Sequence, residues 1–290
     1  MSRELDWARD GQDWPNRAAS RYVQAGDLRW HVQIMGSGPV LLLLHGTGAS
    51  THSWRGMLPL LAPHFTLVAP DLPGHGFTSS PPAHRQSLAG MGRAVRSLLT
   101  ALEMVPQAAV GHSAGAAILA RMSLDHYLAI RALVSLNGAF MAPRGAAAQY
   151  FSPVARLLAQ APFVPDLFAW RASDRSVVGK LLDGTGSKLD AAGVELYARL
   201  ASTPRHAGAA LAMMANWDLA PLEQALPRLH PKLTLVAGSN DRTIPPKQAE
   251  LIHRVVSGSV VVTMPGLGHL SHEEDPEQAT GIVLRAIAAK

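Results

Sequence analysis

The chain reads as an α/β protein: a mostly parallel, doubly wound sheet with a helical lid inserted after the sixth strand. Three observations carry that reading. Short apolar runs alternate with segments of helical period along most of the chain. The residue patterns with chemical potential fall just after such runs, at the strand ends where open α/β sheets bind ligands. The alternation stops between residues 139 and 217, where strand-like runs vanish and Ala, Leu, Phe and Met dominate.

Taken in order, Tyr22–Gln24 and Leu28–Met35 alternate in polarity around Gly26-Asp27, which predicts a hairpin. Val40–Leu44 is continuously apolar, as a strand covered on both faces must be, and runs into His45-Gly46-Thr47-Gly48. A helix is expected around Trp54–Leu61. Phe65–Ala69 is the next strand and ends in a turn-rich loop, Asp71 to Thr78, read as structural with Leu72 or Phe77 in reach of a substrate. Ser87–Leu102 sets Leu88, Met91, Val95, Leu98, Leu99 and Leu102 at helical spacing. Ala108–Val110 is a strand, Ala116–Leu124 a helix reaching about Asp125, and Ala132–Leu136 a further strand. Inside the insertion Val154–Gln160, Asp166–Arg171, Ala191–Leu200 and Ala207–Ala215 read as helices, punctuated by Pro143, Pro153, Pro162, Pro165 and Pro204. The sheet resumes at Leu233–Ala237 and Val260–Met264, and a helix from Glu274 to about Ala289 closes the chain. The expected organisation is a polar N-terminal extension at 1–20, a core at 21–138 and 218–290, and a lid at 139–217.

Composition narrows the function classes. With 290 residues, 48% hydrophobic and 16% charged, the chain can bury the core of one α/β domain with an insertion. It has no cysteine, which excludes disulfides, thiolate metal sites and a cysteine nucleophile. The formal charge is +5, but Lys and Arg are scattered rather than gathered on one face, so nucleic-acid binding is not expected. Peripheral contact with an anionic membrane is compatible with that charge. Met1–Ser20 carries Arg3, Glu4, Asp6, Arg9, Asp10 and Asp13 and no apolar centre, unlike a signal peptide. The longest apolar run, Pro39–Leu44, is far too short to span a bilayer. A cytoplasmic location is the expectation.

Gly111-His112-Ser113-Ala114-Gly115 is a Gly-x-Ser-x-Gly pattern between a strand and a helix. Such a turn strains the serine backbone and lifts its hydroxyl to a helix N-terminus. Any Cβ at Gly111 or Gly115 would meet neighbouring backbone. A serine hydroxyl is a weak nucleophile that needs a base, and the base needs an orienting acid. Asp241 follows the strand Leu233–Ala237, and His269 follows Val260–Met264, giving the chain order Ser, acid, His. Asn137 ends the strand before the lid, where some relatives keep the acid, but an amide cannot stabilise an imidazolium as a carboxylate does. The backbone N–H groups of Thr47 and Ala114 are the expected oxyanion hole. His112, Met214, Trp217 and Leu270 are the candidate substrate contacts. Asp218 reads as a helix cap, and His272 as a surface or capping residue near Glu273. His269-Leu270-Ser271-His272-Glu273 matches neither common zinc-ligand spacing, so no metal or other cofactor is expected. The thirteen histidines are otherwise read as scattered loop residues.

These motifs resemble the α/β-hydrolase superfamily from Arg21 to Asn137 and from Asp218 to Lys290. His-Gly-Thr-Gly, Asp-Leu-Pro-Gly-His-Gly-Phe-Thr, Gly-His-Ser-Ala-Gly, Gly-Ser-Asn-Asp-Arg-Thr-Ile-Pro and Gly-Leu-Gly-His-Leu stand in its order. Serine at the elbow argues against the dehalogenase and epoxide-hydrolase branches, which use aspartate there. A narrower resemblance covers nearly the whole chain. It is to the magnesium-chelatase accessory proteins of bacteriochlorophyll biosynthesis, and is carried by Asp27–Gln33, Ser53–Gly56, Gly111–Ala117, Thr185–Asp190 and Ala212–Trp217. It implies a tetrapyrrole setting and association with a chelatase, and leaves the chemistry open. The sequence reading is a serine hydrolase of an ester or related acyl bond on an apolar or tetrapyrrole-like substrate. Phe151, Leu157, Leu158, Phe163, Leu167, Phe168, Trp170, Met213, Met214 and Trp217 are expected to form an apolar roof, most of them as lid core. A non-catalytic tetrapyrrole-binding or chelatase-accessory module is the alternative, and a cofactor-free perhydrolase or carbon–carbon bond hydrolase a further one.

Overall fold

A computed structural model describes residues 4–142, 161 and 163–289. Its strands are β1 (Ser20–Ala25), β2 (Leu28–Met35), β3 (Val40–Leu44), β4 (Thr66–Pro70), β5 (Ala108–His112), β6 (Ala132–Leu136), β7 (Lys232–Gly238) and β8 (Val260–Met264). They form one eight-stranded sheet in the order β1-β2-β4-β3-β5-β6-β7-β8. β1 and β2 pair antiparallel, β2 pairs antiparallel with β4, and every remaining pair is parallel. The longer helices are α1 (Leu88–Ala101), α2 (Ala114–Leu124), α3 (Val164–Ala172), α4 (Arg175–Gly184), α5 (Ala191–Ala201), α6 (Pro204–Ala215), α7 (Lys247–Val255) and α8 (Pro276–Ala288).

The uninterrupted apolar runs become strands because helices cover both faces. Leu42 and Leu44 pack with Met91, Val95 and Ile118 on one side. Leu41 and Leu43 pack with Met57, Leu61 and Val283 on the other. Each such side chain contributes about 1.5–3 kcal/mol by leaving water. β3 to β8 run parallel and so direct their carboxyl ends to one rim, and the direction in which the chain winds across the sheet reverses between β3 and β5. β3, β5, β7 and β8 deliver the loops that carry Thr47, Ser113, Asp241 and His269 there.

The predicted fold class and strand positions agree with this arrangement, and the boundaries shift for local reasons. α1 begins after Ser87, whose hydroxyl caps Gly90 N–H. α2 begins at Ala114, two residues earlier than expected. The helix expected around Trp54–Leu61 divides into a 3-10 turn, Thr51–Trp54, and a helix, Met57–Leu61. The closing helix breaks at Asp275, whose φ of −139° and ψ of 81° lie outside the helical region that a following proline disfavours. Asp275 then caps α8 through Gln278 N–H at 2.8 Å. The expected helix Val154–Gln160 lies outside the described residues, with Phe151, Leu157 and Leu158 of the expected roof. Phe163, Leu167 and Trp170 correct that roof: they are 64%, 52% and 68% exposed and point away from the lid core.

Residues before β1 are also tied down. Trp14 is buried and donates its indole N–H to the Thr51 hydroxyl at 3.0 Å. Arg199 of α5 pairs with Asp13 at 2.6 Å and donates to the Asp10 carbonyl at 2.7 Å.

Candidate active site

Ser113 sits between β5 and α2 at φ 49° and ψ −117°, a backbone conformation an L residue adopts only under constraint. The constraint comes from its neighbours. A Cβ on Gly115 would lie 2.0 Å from the Leu44 carbonyl oxygen, and one on Gly111 2.4 Å from the Ala116 nitrogen, so strand and helix meet in direct backbone contact. Ser113 N–H donates to the Leu136 carbonyl at 3.0 Å, and the Ser113 carbonyl accepts from Ala139 N–H at 3.1 Å. The turn is thereby fixed against β6 as well.

Asp241 and His269 come together across 28 residues of chain, with Nδ1 of His269 2.8 Å from Oδ2 of Asp241. Asp241 is 5% exposed, and both of its oxygens are engaged. Oδ1 accepts from Thr243 N–H and Ile244 N–H, each at 2.8 Å. Oδ2 accepts from Asn137 Nδ2 at 2.7 Å as well as from His269. Only an ionised carboxylate offers lone pairs for four donors. That network sets the imidazole tautomer: Nδ1 carries the hydrogen and Nε2 keeps a free lone pair. Asn137 thus serves the carboxylate from the neighbouring strand end, and its own Oδ1 accepts from the Ser271 hydroxyl at 2.7 Å. Ser113 and His269 line the same cavity but are not hydrogen-bonded to each other. Such links commonly tighten only once substrate is bound.

The loop after β3 is pressed against the elbow, since a Cβ on Gly46 would lie 3.0 Å from that of Ser113. His45 holds this loop. Its Nδ1–H donates to the Gly46 carbonyl at 2.8 Å, while Nε2 accepts Leu72 N–H at 2.8 Å. Burial pushes the His45 ring below its ordinary pKa, as a neutral ring with one donor and one acceptor requires. His206 on lid helix α6 acts likewise, accepting Gly76 N–H and donating to the Gly48 carbonyl, both at 3.0 Å. Burial pushes it down to about 4. Asp71 ties the next loop, accepting from Thr51 N–H at 2.7 Å and Phe77 N–H at 2.9 Å and pairing with His31 at 2.8 Å.

A cavity of about 630 Å³ opens over these strand ends. Thr47, Ser113, Ala114, His269, His112, Met214, Trp217 and Leu270 all border it, with Phe168, Leu181 and Tyr197 of the lid. Leu72 and Phe77 do not: Leu72 is fully buried in the core, and Phe77 packs against Trp7 and Trp14. His112 is held from behind, donating Nε2–H to the His269 carbonyl at 3.0 Å.

His272 corrects the sequence expectation, because it is 1% exposed rather than a surface residue. Its Nε2–H donates to the Ser53 hydroxyl at 2.9 Å, and its ring packs between Trp54 and His112. Burial pushes its pKa down to about 3. Glu273 is buried too, accepting from Ser53 at 2.8 Å, from Tyr197 of α5 at 2.7 Å, and from Arg55. Sequence reasoning missed this network, and the apolar Trp54 beside Ser53 and Arg55 was its one outward sign. Asp218, one residue before Leu219, which flanks the helix Ala220–Ala225 as its N-cap, accepts from Ala220 N–H at 3.0 Å.

Comparison with known proteins bears on the fold that carries this site. The profile described as "alpha/beta hydrolase fold" matches residues 39–276. The chain belongs to the α/β-hydrolase fold family. It is 39% identical over 274 residues to a "Magnesium-chelatase 30 kDa subunit" of Rhodobacter capsulatus, covering 94% of this chain and 95% of that protein. It is 30% identical to a "Pyrrolizixenacetamide deacetylase" of Xenorhabdus hominickii, covering 88% of this chain and 93% of that one. A hydrolase from Pseudomonas aeruginosa superposes with a TM-score of 0.74 at 28% identity, over 93% of this chain and 98% of that one. The fold, the family and a relationship to hydrolases are therefore secure.

Proposed function

We propose that this α/β hydrolase is a serine hydrolase that cleaves an ester or related acyl bond through Ser113, His269 and Asp241. The observation that carries the reading is a constrained serine and an acid-oriented imidazole bordering one cavity. Nε2 of His269 takes the Ser113 hydroxyl proton as Oγ attacks the acyl carbon. Asp241 steadies the resulting imidazolium through Nδ1–H. The N–H groups of Thr47 and Ala114 receive the oxyanion, and the proton then passes from Nε2 to the departing alcohol. Water, deprotonated by the same nitrogen, releases the acid and restores Ser113. Losing one oxyanion donor in such sites costs about 10²–10³ in turnover.

The cavity supports an apolar substrate. No Lys or Arg stands among its described lining residues, and Asp218 is the carboxylate there. A free carboxylate entering it would lose water without gaining a cation. Neutral esters are therefore expected to outrun matched esters bearing a distal carboxylate by at least tenfold in kcat/KM. The magnesium-chelatase name of one relative favours a setting in tetrapyrrole metabolism, with the protein cytoplasmic and associated with a chelatase. Among the described residues no helix is long and apolar enough to cross a membrane.

The test compares Ser113→Ala with wild type on short and long acyl esters and on a magnesium-porphyrin ester. Wild-type turnover abolished by the substitution supports the reading, and equal rates remove it. The same relative's name supports a second reading, a tetrapyrrole-binding accessory module on a hydrolase frame. Tight binding of magnesium protoporphyrin with no turnover by wild type would select it.

A further inference from the structure

The segment Thr185–Asp190 stands out in the sequence, yet the reaction above gives it no task. It leaves the end of α4 and enters α5, so by chain position it belongs to the lid. Its contacts belong elsewhere. The Thr185 carbonyl accepts from Arg242 N–H at 3.0 Å and from His269 N–H at 3.4 Å, so one oxygen touches both the loop after β7 and the loop after β8. The Gly186 carbonyl accepts from Asn240 Nδ2 at 2.6 Å. The Ser187 hydroxyl, 1% exposed, accepts from Leu270 N–H at 2.8 Å. Lys188 N–H donates to Glu274 Oε2 at 2.9 Å, while Glu274 Oε1 takes Gly268 N–H at 2.7 Å.

Four consecutive lid residues thus bond to the residues flanking Asp241 and His269 or to the carboxylate that holds Gly268. Packing leaves no slack. Gly186 has φ +86°, and a Cβ there would lie 2.0 Å from the Asn240 carbonyl oxygen. A Cβ on Gly268 would lie 2.3 Å from Ser187 N. Sheet topology explains the need: β8 is the edge strand, so the loop that follows it has no strand neighbour on its outer side. The lid segment fills that place.

We propose that Thr185–Asp190 is a brace that holds the Asp241 and His269 loops in register, with Ser187 as a positioning residue for the imidazole–carboxylate pair. The proposal rests on the assignment of those two residues as acid and base. Replacing the Ser187 hydroxyl frees Leu270 N–H, loosens the backbone next to His269, and lengthens the Nδ1–H to Oδ2 bond. Ser187 itself does not border the cavity, so substrate binding is expected to change less than the chemical step.

The experiment reads 15N-histidine spectra and ester kinetics on the full chain, for wild type, Ser187→Ala and Ser187→Thr, with thermal unfolding to confirm folding. In Ser187→Ala the His269 Nδ1 signal is expected to lose its hydrogen-bonded shift and to exchange at least tenfold faster with water. Its kcat is expected to fall about tenfold with KM within threefold, and Ser187→Thr, which keeps the hydroxyl but adds a methyl in a packed site, to recover the signal and kcat in part. A folded Ser187→Ala with the wild-type signal, or with an altered signal and unchanged kcat, overturns the brace. Should Ser187→Ala not fold, Asn240→Ala removes the neighbouring tie and is read the same way. If wild type turns over no ester, the hydrolase reading has failed separately, and the His269 signal alone then decides.

Discussion

Asn137 has an amide where a second carboxylate would be ruinous. Its Nδ2 lies 2.7 Å from Asp241 Oδ2, the oxygen that also holds His269. A carboxylate there would repel Asp241 at hydrogen-bond distance in a site where both groups are nearly excluded from water. Asn137→Ala is expected to lower kcat about tenfold by freeing one carboxylate lone pair, and Asn137→Asp to cost more, both measured by ester kinetics on folded protein. The buried imidazoles make a different statement. In the unfolded chain they take a proton as pH falls past about 6.5, whereas His206 resists until about 4 and His272 until about 3. Across that window the unfolded state binds more protons, so stability falls as pH falls, by up to about 1.4 kcal/mol per pH unit for each ring. Glu273, raised by its burial, works in the opposite sense and only offsets part of the loss. Urea unfolding is expected to show a clearly lower midpoint at pH 5 than at pH 7, with a shallower dependence in His272→Gln. Equal midpoints would contradict the burial of these rings.

Between elements, one buried tie from lid to core passes through a carboxylate that sequence reasoning missed. Glu273 joins Ser53 and Arg55 of the core to Tyr197 of α5, and Arg55 also reaches Asp190 at the start of that helix. Removing the carboxylate takes the acceptor from the buried Tyr197 hydroxyl and leaves Arg55 to its longer contact with Asp190. Glu273→Ala is expected to cost about 3 kcal/mol, read from the urea midpoint, because Arg55 and Tyr197 lose their shared acceptor. The elements themselves were legible to different degrees. β3 to β7 announce themselves because a strand covered on both faces must be apolar at nearly every position, whereas the edge strand β8, with Val260 54% exposed, is legible from its run of β-branched residues. α4 does not, since Gly179 and Gly184 interrupt its apolar residues, and α7 buries only Ala249 and Ile252. His272 was misread for a related reason: its partner Ser53 lies 219 residues away, and local pattern carries no record of so distant a contact. Ser113, Asp241 and His269 were legible because each falls at a strand end marked by glycine, where backbone geometry restricts the residue type.

Across the whole molecule, one rim of the sheet gathers what the chain keeps far apart. β3, β5, β7 and β8 contribute a loop each, the lid closes over them, and the Thr185–Asp190 segment returns from the lid to their edge. Ser113 and His269 border a largely apolar cavity, while the buried imidazoles of His45 and His206 hold the loops beside it. On the proposed reading, this arrangement activates the Ser113 hydroxyl. Treatment with a fluorophosphonate, followed by mass spectrometry of the digested protein, measures that most directly. A single adduct on Ser113, formed in wild type, slowed at least a hundredfold in His269→Ala and absent in Ser113→Ala, is the expected result. Folded wild type that stays unlabelled, or a label that persists unchanged in Ser113→Ala, would contradict it.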